Sequence, residues 1–308
     1  MACYKPVGAV KLPGPTGKLS FSKFDYGTPL SLPCGRCIGC RMEKQRQWAV
    51  RLMHECEMHE DTCFLTLTYR DENLPEYLSL VKGHVQQFMK CLRERVRPRL
   101  LRFFLSGEYG DDDQRLDKKR PINPHYHVIL FGYSFPDKFY WTTLGEHKLY
   151  RSELLEDVWS HGFCSVGSVT FDSCSYVAKY TTKKLTGEKA KEYGKRIPEF
   201  ALMSRRPGIG ATWFDKYRSD VYPSDEVIVK GHVTRPPRYY DIREKQTNPE
   251  GFESVARDRE RFADNLNEKV KMPDGSVREF HPSAVAHRLA VRERVAAAKL
   301  KIRRSSKC

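Results

Sequence analysis

His125-Tyr126-His127, at the start of the apolar run HYHVILFG, constrains this chain more than any other stretch. Six of those eight residues suit a buried strand, and side chains at i and i+2 of a strand leave the same face. The two imidazoles therefore stand side by side while Tyr126 points the other way. Adjacent imidazoles can share one divalent cation. Two ligands do not make a firm site, so a third is expected from a neighbouring strand. Glu108, directly after the strand pattern FFLSG, is the candidate, and its charge would help recruit Mg²⁺ or Mn²⁺. The competing reading of an H-x-H on a strand is purely structural. His147 and His161 lie outside the pattern and are expected at the surface.

A second motif lies downstream. YVAKYTTKK places Tyr176 and Tyr180 four residues apart, one turn of a helix, with Lys179 and Lys183 beside them. Such a helix can simply pack its aromatics and expose its lysines. It can also present two phenols to a phosphate. A free tyrosine is a weak nucleophile at neutral pH, and a polarising metal with a nearby ammonium would compensate. Attack on a phosphodiester would break a DNA strand yet keep the ester energy in a protein–DNA bond. The motifs together suggest a strand-nicking and joining activity.

The surrounding pattern indicates an α+β fold. Thr62–Tyr69 alternates as a strand, Leu80–Val96 is helical, and Arg99–Gly107 and His125–Phe131 are strands around a polar insertion, Asp111–Asn123. A helix at Ser152–Trp159 and a strand at Phe163–Thr170 follow, and the tyrosine helix starts near Asp172 or Ser173 as N-cap. This order is the split βαβ, ferredoxin-like arrangement, an antiparallel sheet with helices on one face and the other face free for nucleic acid. An extra helix from Arg41 to about His59 precedes it, after an irregular arm over residues 1–33. Three segments are expected: 1–60 with the arm, a cysteine cluster and the helix; 61–242 as the core and its extension; 243–308 as a basic tail, helical over Ser283–Arg304.

A formal net charge of +15 over 308 residues points to a polyanionic partner, most simply nucleic acid. No apolar run approaches the ~20 residues needed to cross a bilayer, and the N-terminus lacks the apolar core of a signal peptide. The expected compartment is cytosolic, where ten cysteines do not form a disulfide framework. Cys56, Cys63, Cys91, Cys164 and Cys174 read as core thiols. Cys34, Cys37 and Cys40 form C-x2-C-x2-C, and Cys3 is a candidate fourth ligand. Structural zinc, an iron–sulfur cluster, and packed or redox-buffering thiols are the three readings of that cluster.

FLTLTY (Phe64–Tyr69), PHYHVILFG (Pro124–Gly132) and YVAKYTTKK (Tyr176–Lys184) occur in the order of the three motifs of the HUH rolling-circle replication initiators. With LPCGRCIGCR, FFLSGEYG, MSRRPGIG and PPRYYD, the chain closely resembles the gokushovirus initiators of the Microviridae over about residues 3–241. The resemblance implies nicking at an origin of replication, a 5′-phosphotyrosine, and a 3′-OH left for the host DNA polymerase. It assigns Tyr176 and Tyr180 as alternating nucleophiles, Lys179 and Lys183 as the motif lysines, His125 and His127 as metal ligands, and Glu108 as the acidic third ligand. Tyr126 departs from the family pattern, which has an apolar residue there. No G-x-x-x-x-G-K-[ST] motif is present, so unwinding is expected from a host helicase. Expected alternatives are a non-catalytic, zinc-containing single-stranded DNA-binding protein and a metal-dependent nuclease that uses water.

Overall fold

The N-terminal arm is not irregular. In the computed structural model, β1 (Val7–Lys11) pairs antiparallel with both β2 (Leu19–Ser20) and β3 (Thr28–Leu32). Pro and Gly mask this pattern, and so does exposure, since Ala9 is the one buried residue in the three strands. The structure describes residues 3–14, 17–22, 24–110, 122–181, 187–267, 269–271, 275–279 and 282–305. Most of the expected polar insertion, residues 111–121, lies outside them. Contacts divide the chain into one compact unit of Met1–Lys44 with Glu253–Cys308 and another of Gln45–Phe252.

Helix α1 (Ile38–Cys56) leads into β4 (Thr62–Thr68), α2 (Lys82–Arg95), β5 (Arg102–Glu108) and β6 (His125–Phe131). A hairpin of β7 (Phe139–Leu144) and β8 (His147–Arg151) precedes α3 (Glu153–Val158), β9 (Cys164–Gly167) and α4 (Phe171–Lys179). The split βαβ order is therefore present, and its four strands lie β5-β6-β4-β9, every pair antiparallel. The β7–β8 hairpin extends the sheet beyond β9, and β10 (Phe200–Met203) adds an edge beside β5. Neither addition is evident from the sequence, because β7 is mostly exposed and β10 is half-buried throughout.

Period two sorts the central strands into two faces. Leu65, Leu67, Leu105, Tyr126, Val128 and Leu130 pack with Val85, Phe88 and Leu92 of α2 and Leu155 of α3. Fully burying side chains of this size contributes about 1.5–3 kcal/mol each. The opposite face is not free, as the sequence suggested. Phe104, Ile129 and Phe131 are covered by Ala49 and Leu52 of α1 and by Cys174, Val177 and Ala178 of α4. The apolar stripe of α1 needs a partner, and that face of the sheet supplies it.

Tyr126 carries its polar atom into the first core. Its hydroxyl accepts the Val81 amide at 2.8 Å and lies 2.9 Å from the Tyr69 hydroxyl, which in turn lies 2.8 Å from His84 Nδ1. The buried oxygen is thus satisfied, and the strand of the paired histidines is tied to the start of α2. His161 is half-buried rather than at the surface, with its ring stacked on His84 at 4.1 Å; His147 is exposed as expected.

After β10 come α5 (Ala211–Val221), the hairpin β11 (Val227–Val229) and β12 (His232–Thr234), and α6 (Arg238–Thr247). The phrases MSRRPGIG and PPRYYD brace α1 here. Arg51 Nε donates to Ile209 O, the Gly210 amide donates to Glu55, and the buried Tyr240 hydroxyl meets His54 Nδ1 at 2.9 Å. The chain closes with α7 (Pro249–Asn267), the short pair β13 (Lys269–Lys271) and β14 (Val277–Glu279), and α8 (Pro282–Ser305), which covers the expected basic helix. Among the described residues no helix is long and apolar enough to cross a membrane.

Candidate metal centre and tyrosine helix

Strand register builds the centre. Glu108, the last residue of β5, pairs with His125, and Ser106 pairs with His127, so the carboxylate and both imidazoles share one end of one face. His125 Nε2 lies 2.6 Å and His127 Nε2 2.9 Å from the same oxygen, Glu108 Oε1. All three residues are buried. The chosen ligand atoms lie within 4.8 Å of one another, so the group could hold a metal ion.

The other ring nitrogens are tied down. His125 Nδ1 donates to the carbonyl of Asn123 at 2.7 Å, which leaves Nε2 as its free lone pair. His127 Nδ1 meets the Thr66 hydroxyl at 3.1 Å, and Phe64 stacks on its ring at 5.3 Å. Fixed outer nitrogens of this kind orient metal-ligating imidazoles. Asn123, Thr66 and Phe64 were missed as site residues. The alternation in FLTLT does put Thr66 and Phe64 on one face, and only the pairing with β6 shows that it is the histidine face.

Electrostatics favour a cation. Burial alone would raise the Glu108 carboxyl, but hydrogen bonds from His125 and His127, with their charge, hold it well below the usual carboxylate range. Burial pushes His127 down against the opposing pull of Glu108. An ionised carboxylate beside a neutral imidazole is the donor set that a hard or borderline divalent ion accepts. Glu108 Oε2 is buried and has no hydrogen-bond partner among the described residues, an orphaned acceptor that such an ion would satisfy.

The tyrosine helix meets this centre. Thr170, rather than Asp172 or Ser173, is the N-cap: its hydroxyl accepts the Ser173 amide and Ser173 Oγ accepts the Thr170 amide. Gln45 of α1 donates to Ser175 O at 2.8 Å and pins the helix from outside. Tyr176 then donates its hydroxyl to Glu108 Oε1 at 2.8 Å, with its ring edge-on to His127 at 5.1 Å. The Tyr180 ring lies 5.2 Å from that of Tyr176.

The two phenols differ in access. Tyr176 is 37% exposed and Tyr180 only 3%. Lys179 Nζ lies 5.8 Å from the Tyr180 ring centroid. Lys183 lies outside the described residues.

The four cysteines Cys3, Cys34, Cys37 and Cys40 also come together, with their sulfurs within 4.8 Å of one another. Cys63, Cys164 and Cys174 are buried free thiols, as expected, whereas Cys56 and Cys91 are only half-buried.

Fold and site define a split-βαβ α+β protein with a Glu–His–His, metal-capable centre against a tyrosine-bearing helix. The family model for replication-associated proteins of the ORF2 type matches residues 62–185, which hold the whole of that centre. Replication-associated protein VP4 of Bdellovibrio phage phiMH2K is 34% identical over 264 residues, covering 81% of this chain and 79% of its own. Replication-associated protein ORF2 of Spiroplasma virus 4 is 33% identical over 229 residues, covering 69% and 67%. Replication-associated protein ORF4 of Chlamydia phage 1 is 26% identical over 225 residues, covering 68% and 52%. No solved structure matches. The chain belongs to the gokushovirus-type replication-associated proteins of the Microviridae.

Proposed function

We propose that this protein nicks one DNA strand at a replication origin through Tyr176, holds the 5′ phosphate as a phosphotyrosine, and later passes it to a 3′-OH to close a circle. The carrying observation is the Tyr176 hydroxyl at 2.8 Å from Glu108 Oε1, the oxygen that both imidazoles also face. Nucleophile and ligand set thus address one phosphate-sized volume. The kinship with phage replication-associated proteins supports the same reading.

In this reading Glu108, His125 and His127 hold Mg²⁺ or Mn²⁺. Such an ion draws charge from the non-bridging oxygens of the scissile phosphate. The Tyr176 oxygen bonds to phosphorus as the bond from phosphorus to the 3′ oxygen breaks. The phenol loses a proton and the 3′ oxygen gains one, so neither water nor ATP is consumed. One phosphodiester replaces another, and a 3′-OH can therefore reverse the step. Tyr180 makes the second cut, Lys179 and Lys183 offset the negative charge that develops, and the net charge of +15 draws the DNA. The host cytoplasm supplies helicase and polymerase.

Incubation with single-stranded origin DNA and Mn²⁺, resolved on a denaturing gel, tests the proposal. A DNA band that travels with the protein, and is lost in Tyr176→Phe, is expected. Cleavage without an adduct would instead assign a nuclease that uses water. The absence of cleavage would leave a DNA-binding protein.

A further inference from the structure

We propose that Cys3, Cys34, Cys37 and Cys40 hold one structural Zn²⁺ in a closed tetrathiolate site, separate in ligands and purpose from the Glu–His–His centre. The geometry is that of a single ion. Cys3 Sγ and Cys37 Sγ lie 3.8 Å apart. A tetrahedron with metal–sulfur bonds of ~2.3 Å has an edge of about 3.8 Å. A disulfide would need sulfurs in bonding contact at about 2.05 Å, and all four thiols are free. An iron–sulfur cluster sets several iron and sulfide atoms between its thiolates and needs them wider apart.

The backbone is arranged for thiolates. The Cys37 amide donates to Cys34 Sγ at 3.3 Å across a turn in which Gly35 takes φ +72°, a conformation open to glycine. The Cys34 amide donates to Cys3 Sγ at 3.2 Å, and the Tyr4 amide to Cys37 Sγ at 3.3 Å. Three sulfurs thus each accept an N–H, a pattern that favours negative sulfur. Burial would raise the Cys37 thiol, yet amide and thiol donors bring it down to about 6.

The location shows what such an ion would do. Cys3 precedes β1, Cys34 follows its partner β3, and Cys40 lies in the first turn of α1. The three-stranded sheet buries only Ala9, so apolar packing contributes little to it. Small segments that lack a core are commonly held by a metal. One zinc would fasten the sheet to the start of α1.

Metal analysis of the full-length protein tests this in a His125→Ala/His127→Ala background, which removes the other centre from the reading. One zinc per chain that survives dialysis is expected, with at least a tenfold loss in Cys34→Ser/Cys37→Ser. Mercurial titration of the parent protein should release that zinc as the thiols react, a readout that does not require the cysteine variant to fold. Cobalt reconstitution should give the visible bands of a tetrahedral tetrathiolate. Zinc unchanged by the cysteine substitutions, iron with sulfide in its place, or four freely titrating thiols with no metal would each overturn the proposal. A nicking-inactive protein that still carries this zinc would reject only the catalytic reading.

Discussion

The two ligand clusters are built in opposite ways. Glu108, His125 and His127 stand on adjacent hydrogen-bonded strands in the middle of a seven-stranded sheet. They number three, and the remaining approach is occupied by a phenol. The cysteines number four, lie on loops and a helix start, and are ringed by backbone amides. Three ligands with one direction open suit an ion that must meet substrate, whereas four close an ion off. The sheet keeps the reactive set rigid without help from the metal. The loops depend on the metal for their shape.

The largest expected effect is complete. Tyr176→Phe removes the hydroxyl that faces the open direction and should abolish the covalent DNA adduct on a denaturing gel. An adduct that persists would move the nucleophile elsewhere and break the contrast. Next, treatment with EDTA should stop nicking and Mn²⁺ should restore it, while metal analysis still finds zinc at the cysteines. Loss of both metals in parallel would make the clusters alike. Tyr180→Phe is expected to leave the first nick within a few-fold of wild type and to stop the second, because its phenol is buried behind Tyr176. Equal loss of both cuts in a single-turnover assay would overturn that order.

Thr66→Val frees the outer nitrogen of His127 and should weaken Mn²⁺ binding by about 10–100-fold in a calorimetric titration, with zinc content unchanged. The smallest effect concerns stability. Tyr126→Phe strands the buried Val81 amide and should cost about 1–3 kcal/mol in urea unfolding, with nicking retained. An unfolding midpoint that does not move would show that the amide finds another partner.

Much of the reactive centre was legible because strand and helix periods carry it. Residues 125 and 127 must share a face, and the carboxylate after FFLSG needed only the β5–β6 register to arrive there. The tyrosines had to share a stripe, but sharing a stripe does not mean sharing exposure. α4 ends at Lys179, and Tyr180 is its C-cap, folded into the interior. That distinction depends on tertiary packing, which spacing does not encode. The N-terminal strands escaped notice for the converse reason: with one buried residue among them they leave no hydrophobic alternation to read. α1 was legible as a helix, yet its partner was not, since an apolar stripe does not name the face it will cover.

Tyr126 has a consequence for how such a sequence can drift. Its hydroxyl, that of Tyr69 and the Val81 amide satisfy one another within a sealed interior. An aliphatic side chain at 126 would strand two polar groups at once, and changing 69 first would remove one of the contacts that 126 keeps. The aromatic pair is therefore inherited together or lost together. Relatives with an aliphatic residue between the histidines should also differ at the position matching Tyr69, a covariation that can be looked for without any experiment.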